Sequence, residues 1–221
     1  MSYDWHFSDG SHTKLSNWQV HSAVMLIYHA VGVWSYERLE SELTTMQMHR
    51  NLMNETLGSN QDEPLPENKE PVNIIITVEK LDLNDGRLEL AKKAGMPIEE
   101  KDGHAYLAKV EFKSEKPVSK EFMNKWTSSM EGHLKYAIKN TMRCEELRSD
   151  APGFMKETLE KILSNDGFVF NPKDARIMMM AFMGLDKKVR DELEEVLPVG
   201  WERLVMVCVH VGEENLSAQI F

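Results

Sequence analysis

"MQMH" at 46–49, "RIMMMAFMG" at 176–184 and eight scattered histidines are the stretches of this chain whose residue types could do chemistry. Thioethers and imidazoles bind soft and borderline metals such as Cu(I), provided several of them converge on one point. Successive helical residues step about 100° around the axis, so Met178, Met179 and Met180 cannot share one face. Ile177, Met180, Ala181 and Gly184 can lie together, as can Met178, Phe182 and Leu185. Met46 and His49 stand three apart on a stripe that otherwise faces a core. Methionine is flexible and fills irregular gaps. Both stretches are therefore expected inside the protein, with a deformable partner surface as the second reading and a metal site as the third.

The histidines form no HExxH, no HxH and no pair of Glu-x-x-His motifs, so zincin and ferritin-like readings lack their ligands. His133 shares an apolar face with Phe122, Trp126 and Ala137 and is expected to be a hydrogen-bonded core residue. His210, between Val209 and Val211, receives the same reading. His6 and His12 flank "FSDGS" in a segment near a terminus that is expected to be mobile, with both side chains in solvent. Placing Gly86 of "LDLNDGRLEL" at the sixth position of a calcium loop puts Leu81 and Leu83 where oxygen ligands belong, which excludes an EF-hand. The Asp-Gly steps at 85–86, 102–103 and 166–167 read as turns. GxGxxG, a Walker lysine loop and GxSxG do not occur. No metal, no cofactor and no catalytic residue is expected on these grounds.

Elements that could position a site follow from patterning. Ser16 to Gln19 is a capping box with Leu15 and Val20 as its staple, opening an all-round apolar helix toward Trp34. A second helix carries Tyr36, Leu39, Leu43, Met46, Met53 and Leu57 at three- and four-residue spacing. "GSNQDEPLPENKEP" (58–71) cannot continue it, having three prolines and four acids. "VNIIITVEKL" (72–81) and "GHAYLAKVEF" (103–112) read as strands, with a short helix ending at Gly95 between them. Ser119 caps a helix running to about Arg148. Asp150, Asn171 and Asp186 begin three more, and "RLVMVCVHV" (203–211) has the continuous apolarity of a central strand. The expected fold is α+β: a small mixed sheet of three to four strands packed with several helices, plus an N-terminal helical pair. The expected divisions are 1–57, the connector 58–71, and 72–221. Brief proteolysis is expected to nick 58–71 first, and a first cut within 119–147 would overturn that boundary.

Charge narrows the partners. The chain has 26 basic and 36 acidic residues, a formal net of -10, which opposes phosphate backbones and anionic lipid. Residues 113–143 differ, since seven basic side chains against three acids leave +4 there and -14 elsewhere. Lys135, Lys139 and Arg143 step by four along one helix edge, opposite Phe122 and Trp126, and Lys125 precedes them. These four are the candidate partner-binding residues, for an acidic protein or a second copy of the chain. Nucleic acid is disfavoured by the net charge. "AVMLIYHAVGVW" (23–34) falls short of the about 20 apolar residues that span a bilayer, so no membrane role is expected. Two cysteines without a CxxC, and an N-terminus without a basic and apolar leader, fit a cytoplasmic protein.

Two function classes remain. One is a non-catalytic binding or adaptor protein, self-associating or partnered through helical surfaces. The other is an enzyme with a site assembled from scattered residues. For the latter, the C-terminal order of helix, Gly-Leu, short helix and "LPVGWERLVMVCVHVG" is similar to the end of flavin-dependent nitroreductases. That resemblance implies a flavin held through its phosphate by an arginine-rich opening. Here Lys14 is the only basic residue before Arg38, so the binding reading is preferred.

Overall fold

Alternation of Tyr3, Trp5 and Phe7 with Ser2, Asp4 and His6 folds the first residues into a strand with one buried face. The computed structural model describes residues 2–59, 65–68, 70–164 and 167–221. In chain order these open with β1 (Ser2–Phe7), β2 (His12–Ser16), α1 (Asn17–Ala30), α2 (Tyr36–Ser59) and β3 (Asn73–Asp82). There follow α3 (Gly86–Lys93), β4 (Ile98–Lys101), β5 (His104–Lys113), α4 (Lys120–Ser129) and α5 (Glu131–Ser149). The remainder is α6 (Lys156–Ile162), β6 (Val169–Phe170), α7 (Pro172–Met183), α8 (Lys187–Glu192), α9 (Arg203–Glu213) and β7 (Ala218–Ile220). The fold is α+β, and its strands form two antiparallel sheets, not one mixed sheet.

The chain divides into two compact units, Met1–Gln47 with Cys144–Phe221, and Met48–Arg143. The acidic segment 58–71 lies within the second unit, and its residues 60–64 and 69 are outside the described ones.

In the first unit the sheet order is β2-β1-β7-β6. The segment around "FSDGS" is a β-hairpin. Its turn is held by Asp9 Oδ1, which accepts from Ser11 N and Oγ at 2.8 and 2.6 Å, and Gly10 supplies the positive φ of 88°. The expected capping box is present, with Ser16 Oγ accepting from Gln19 N at 3.2 Å and Ser16 N donating to Gln19 Oε1 at 3.0 Å. The helix it opens, α1, is buried from Asn17 to Tyr28 at all but one position, Gln19. The strand expected at 203–211 is instead the helix α9. Leu204, Val207, Cys208 and Val211 form its buried stripe, a three- and four-residue period hidden in the sequence because the residues between are apolar too. His210 accordingly sits on a helix, half-buried, with Nε2 3.4 Å from Asp9 Oδ2 and its ring edge-on to Phe7.

Asp150 does not open α6, which begins at Lys156. Its carboxylate is used elsewhere, accepting from Trp34 Nε1 at 3.1 Å and from Arg38. Asn171 does cap α7, in a reciprocal box with Asp174. The methionine triplet splits as helical geometry requires. Met178 is fully buried and Met179 half-buried, whereas Met180 and Met183 are 73% and 83% exposed, so the expectation of an interior segment holds only in part. Among the described residues no helix is long and apolar enough to cross a membrane.

The second unit is built on the sheet β3-β5-β4. Asp102 and Gly103, both at positive φ, make the tight turn between β4 and β5. One face carries Ile76, Val78, Tyr106, Ala108 and Val110 and is covered by Leu134, Ile138 and Met142 of α5. The other brings Leu81, Ala105 and Leu107 against Leu88 of α3 and Ile98 of β4. The single helix expected from Ser119 to about Arg148 breaks at Met130 into α4 and α5. The hydroxyls of Thr127 and Ser129 accept no helix geometry for free: they donate to the carbonyls of Met123 and Trp126 at 2.8 Å each, competing with the backbone ladder.

Candidate functional site

Spacing on two helices of the second unit builds a cleft. His49, Leu52, Met53 and Thr56 recur at three- and four-residue intervals along α2 and line one wall. Gly132, Lys135, Tyr136 and Lys139 recur in the same way along α5 and line the other, with Glu131 and Glu99 of β4 at the rim. The cavity volume is about 300 Å³, at the lower end of what small-molecule sites or an inserted side chain require. Gly132 sets how closely the walls approach at one end. A Cβ there would lie 2.6 Å from Thr56 Cγ2, closer than any side chain tolerates.

The floor is apolar and the rim is charged in pairs. Lys139 Nζ meets Glu99 Oε2 at 2.9 Å, and Lys135 Nζ meets Glu131 Oε1 at 2.6 Å. Burial lowers the pKa of His49, and the charges of Lys139 and Arg143 lower it further against the opposing pull of Glu99. His49 therefore enters the cleft wall as a neutral imidazole near pH 7, able to donate one hydrogen bond and accept another. The Thr56 hydroxyl is engaged, donating to the Leu52 carbonyl at 2.8 Å. Chemically, such walls have the shape and charge to take a partly apolar group beside exchangeable ion pairs.

Of the four residues singled out from sequence, Lys135 and Lys139 line this cleft and the charge of Arg143 reaches His49. Lys125 lies on α4, half-buried and outside the cleft lining. The basic edge is thus not a bare stripe, because two of its members already hold carboxylates. Tyr136 and Glu99 were not anticipated, and His49 was weighed only as a metal or core residue of "MQMH" and not as part of a cleft. Their only advance signal was the stripe containing Met46 and Met53, one turn either side of His49, together with a glycine inside a long helix.

No protein-family model, curated protein or solved structure matches this chain. The functional reading rests on geometry alone.

In the first unit His21 Nε2 lies 3.1 Å from Cys144 Sγ and 3.4 Å from Tyr3 Oη, a contact of nucleophile and base. All three residues are buried, none more than 7% exposed, so a substrate has no path to them in this state. His133, expected to be hydrogen-bonded, is half-buried with Nδ1 lacking a partner, and burial lowers its pKa. Among the described residues no group of three or more His, Cys, Asp or Glu side chains is placed to hold a metal ion.

Proposed function

We propose that the protein is a non-catalytic binding or adaptor protein whose second unit grips an apolar side chain of a protein partner, or of another copy, in the α2–α5 cleft. The observation that supports this reading is the pairing of an apolar floor with salt-bridged walls. Leu52 at the mouth is 61% exposed, an arrangement that leaves apolar area to be covered. Lys135 and Lys139 would exchange their intramolecular carboxylates for those of the partner, which selects an acidic segment around the inserted residue. Exposed ion pairs of this kind are worth roughly 0–1 kcal/mol, so the exchange costs little.

The test uses neutral substitutions, since reversing Lys139 would set two carboxylates against each other at Glu99. Lys135→Gln/Lys139→Gln/Arg143→Gln and, separately, Leu52→Ser are each expected to change folding by less than about 0.5 kcal/mol per site. Sedimentation velocity would be run on wild type and both variants, alone and with native-cell extract, at low and high salt. The wild-type complex is expected to weaken as salt rises, and both variants are expected to lose it. If both keep every association the wild type makes, the cleft is not the binding surface.

A further inference from the structure

The β1–β2 hairpin places His6 directly opposite His12 in register. Both side chains are on the solvent face of the sheet and exposed, alternating with the buried Trp5, Phe7 and Leu15. Their rings stack with centroids 5.9 Å apart and planes 21° from parallel. We propose that this cross-strand pair is a chelating site for a divalent first-row transition-metal ion, with Cu²⁺ held most tightly. The site lies in the first unit and is independent of the cleft reading.

Imidazole nitrogens bind such ions at about 2.0–2.1 Å, so two rings sharing one ion place their nitrogens roughly 3 Å apart. Directly opposed residues of an antiparallel pair start with Cβ atoms about 4.5–5.5 Å apart, and rotation of two exposed side chains closes the rest. The strand pairing has already fixed the relative position of the two ligands, which is most of the entropic cost of chelation. Asp4 lies next along the same face, in a 3.4 Å ion pair with Lys14, both more than 40% exposed. The two imidazoles are the protein ligands of the site, and Asp4 stays with Lys14. The edge of the Phe221 ring, 5.4 Å from His6, limits the directions from which His6 can swing. Water completes the coordination shell. Nitrogen donors of this type favour copper over nickel and zinc by the general stability order of divalent ions.

Titration of the intact chain with Cu²⁺ alone, followed by calorimetry and by the electron spin resonance of the ion, tests the assignment. One ion per chain with two nitrogen donors is expected, together with a rise in Tm that EDTA reverses, because the ion binds only the folded hairpin. His6→Ala and His12→Ala should each weaken binding more than the about tenfold to hundredfold caused by loss of a mere outer partner. His104→Ala, a histidine of the second unit with a side chain 39% exposed, should leave binding unchanged. Both hairpin positions are exposed, and unchanged circular dichroism would exclude misfolding as the cause. If the hairpin variants bind Cu²⁺ as the wild type does, or several ions bind with equal affinity across the histidines, the binding is adventitious and the proposal fails.

Discussion

Replacing Asp174 with alanine is expected to destabilise the first unit by about 3–5 kcal/mol, the cost of removing one partner from a buried ion pair and leaving the other behind. Asp174 is 3% exposed and anchors four interactions at once. Its Oδ1 accepts from Thr158 Oγ1 at 2.9 Å, and its two oxygens meet Lys161 Nζ at 3.1 and 2.9 Å. Its Oδ2 also accepts from Asn171 N at 3.0 Å, closing the capping box of α7. Alanine would leave the Lys161 ammonium with only the exposed Glu157 carboxylate at 3.4 Å, orphan the buried Thr158 hydroxyl and remove half of the capping box of the helix that carries Met178. Lys161→Met should cost less, because the carboxylate left behind keeps its donors from Thr158 and the backbone. Urea unfolding followed by far-ultraviolet circular dichroism measures both. An Asp174→Ala chain within about 1 kcal/mol of wild type would place this pair among the weak surface bridges instead.

Loss of the Trp126 indole carries a comparable penalty, about 3–5 kcal/mol for a large core aromatic cut to alanine. Trp126 is 8% exposed and stands edge-on to Phe112 of β5, with ring centroids 5.5 Å apart at 87°. Phe122 meets the same ring of Phe112 at 6.2 Å, so Phe112 is clamped between two residues of α4. Removing Trp126 opens a void at the end of the sheet farthest from the β4–β5 turn and frees α4 to roll. The measurement is again chemical unfolding, with the second unit's transition expected to move. A Trp126→Ala protein that unfolds like the wild type yet loses a ligand would make this tryptophan a contact surface.

Four helix starts were readable in the chain. Ser16, Ser119, Asn171 and Asp186 each accept a hydrogen bond from the backbone of the helix they precede, a local device that depends on no distant residue. Asp150 is of the same residue type yet caps no helix, its carboxylate being held by Trp34 and Arg38. Strands β3 and β5 were legible for a similar reason, since β-branched and alternating residues declare themselves over ten positions. The errors came where the decisive information was absent from the local pattern. Residues 203–211 are apolar at nearly every position, so neither a period of two nor one of 3.6 can be read from them. What makes α9 a helix is the set of neighbours that buries Leu204 and Val207 but leaves Met206 65% exposed. The hairpin at 2–16 shows alternation over only six residues near a terminus, and no strand was read from it.

The cleft was legible only by halves. Lys135, Lys139 and Arg143 stood out as a charge pattern on one helix. Their meaning depends on Glu99 and His49, which lie about 40 and 90 residues away in sequence and are brought near by tertiary folding. A single-sequence reading detects periodicity within an element and has no measure of which element lies opposite. That is why a stripe expected to be bare turned out to hold its own counter-charges.

The division of the chain has a consequence for its synthesis. Residues Met48–Arg143 are contiguous, so the β3-β5-β4 sheet and its covering helices can form as soon as that stretch has left the ribosome. The other unit is assembled from both flanks of this stretch, and β1 pairs on one side with β7, at Ala218–Ile220. Until β7 emerges, Trp5 and Phe7 have no strand beyond β2 to complete the sheet that buries them. The nascent chain must therefore carry an apolar hairpin and the buried helix α1 while the roughly 200 residues up to β7 are made, a window in which chaperone binding competes directly with misassociation.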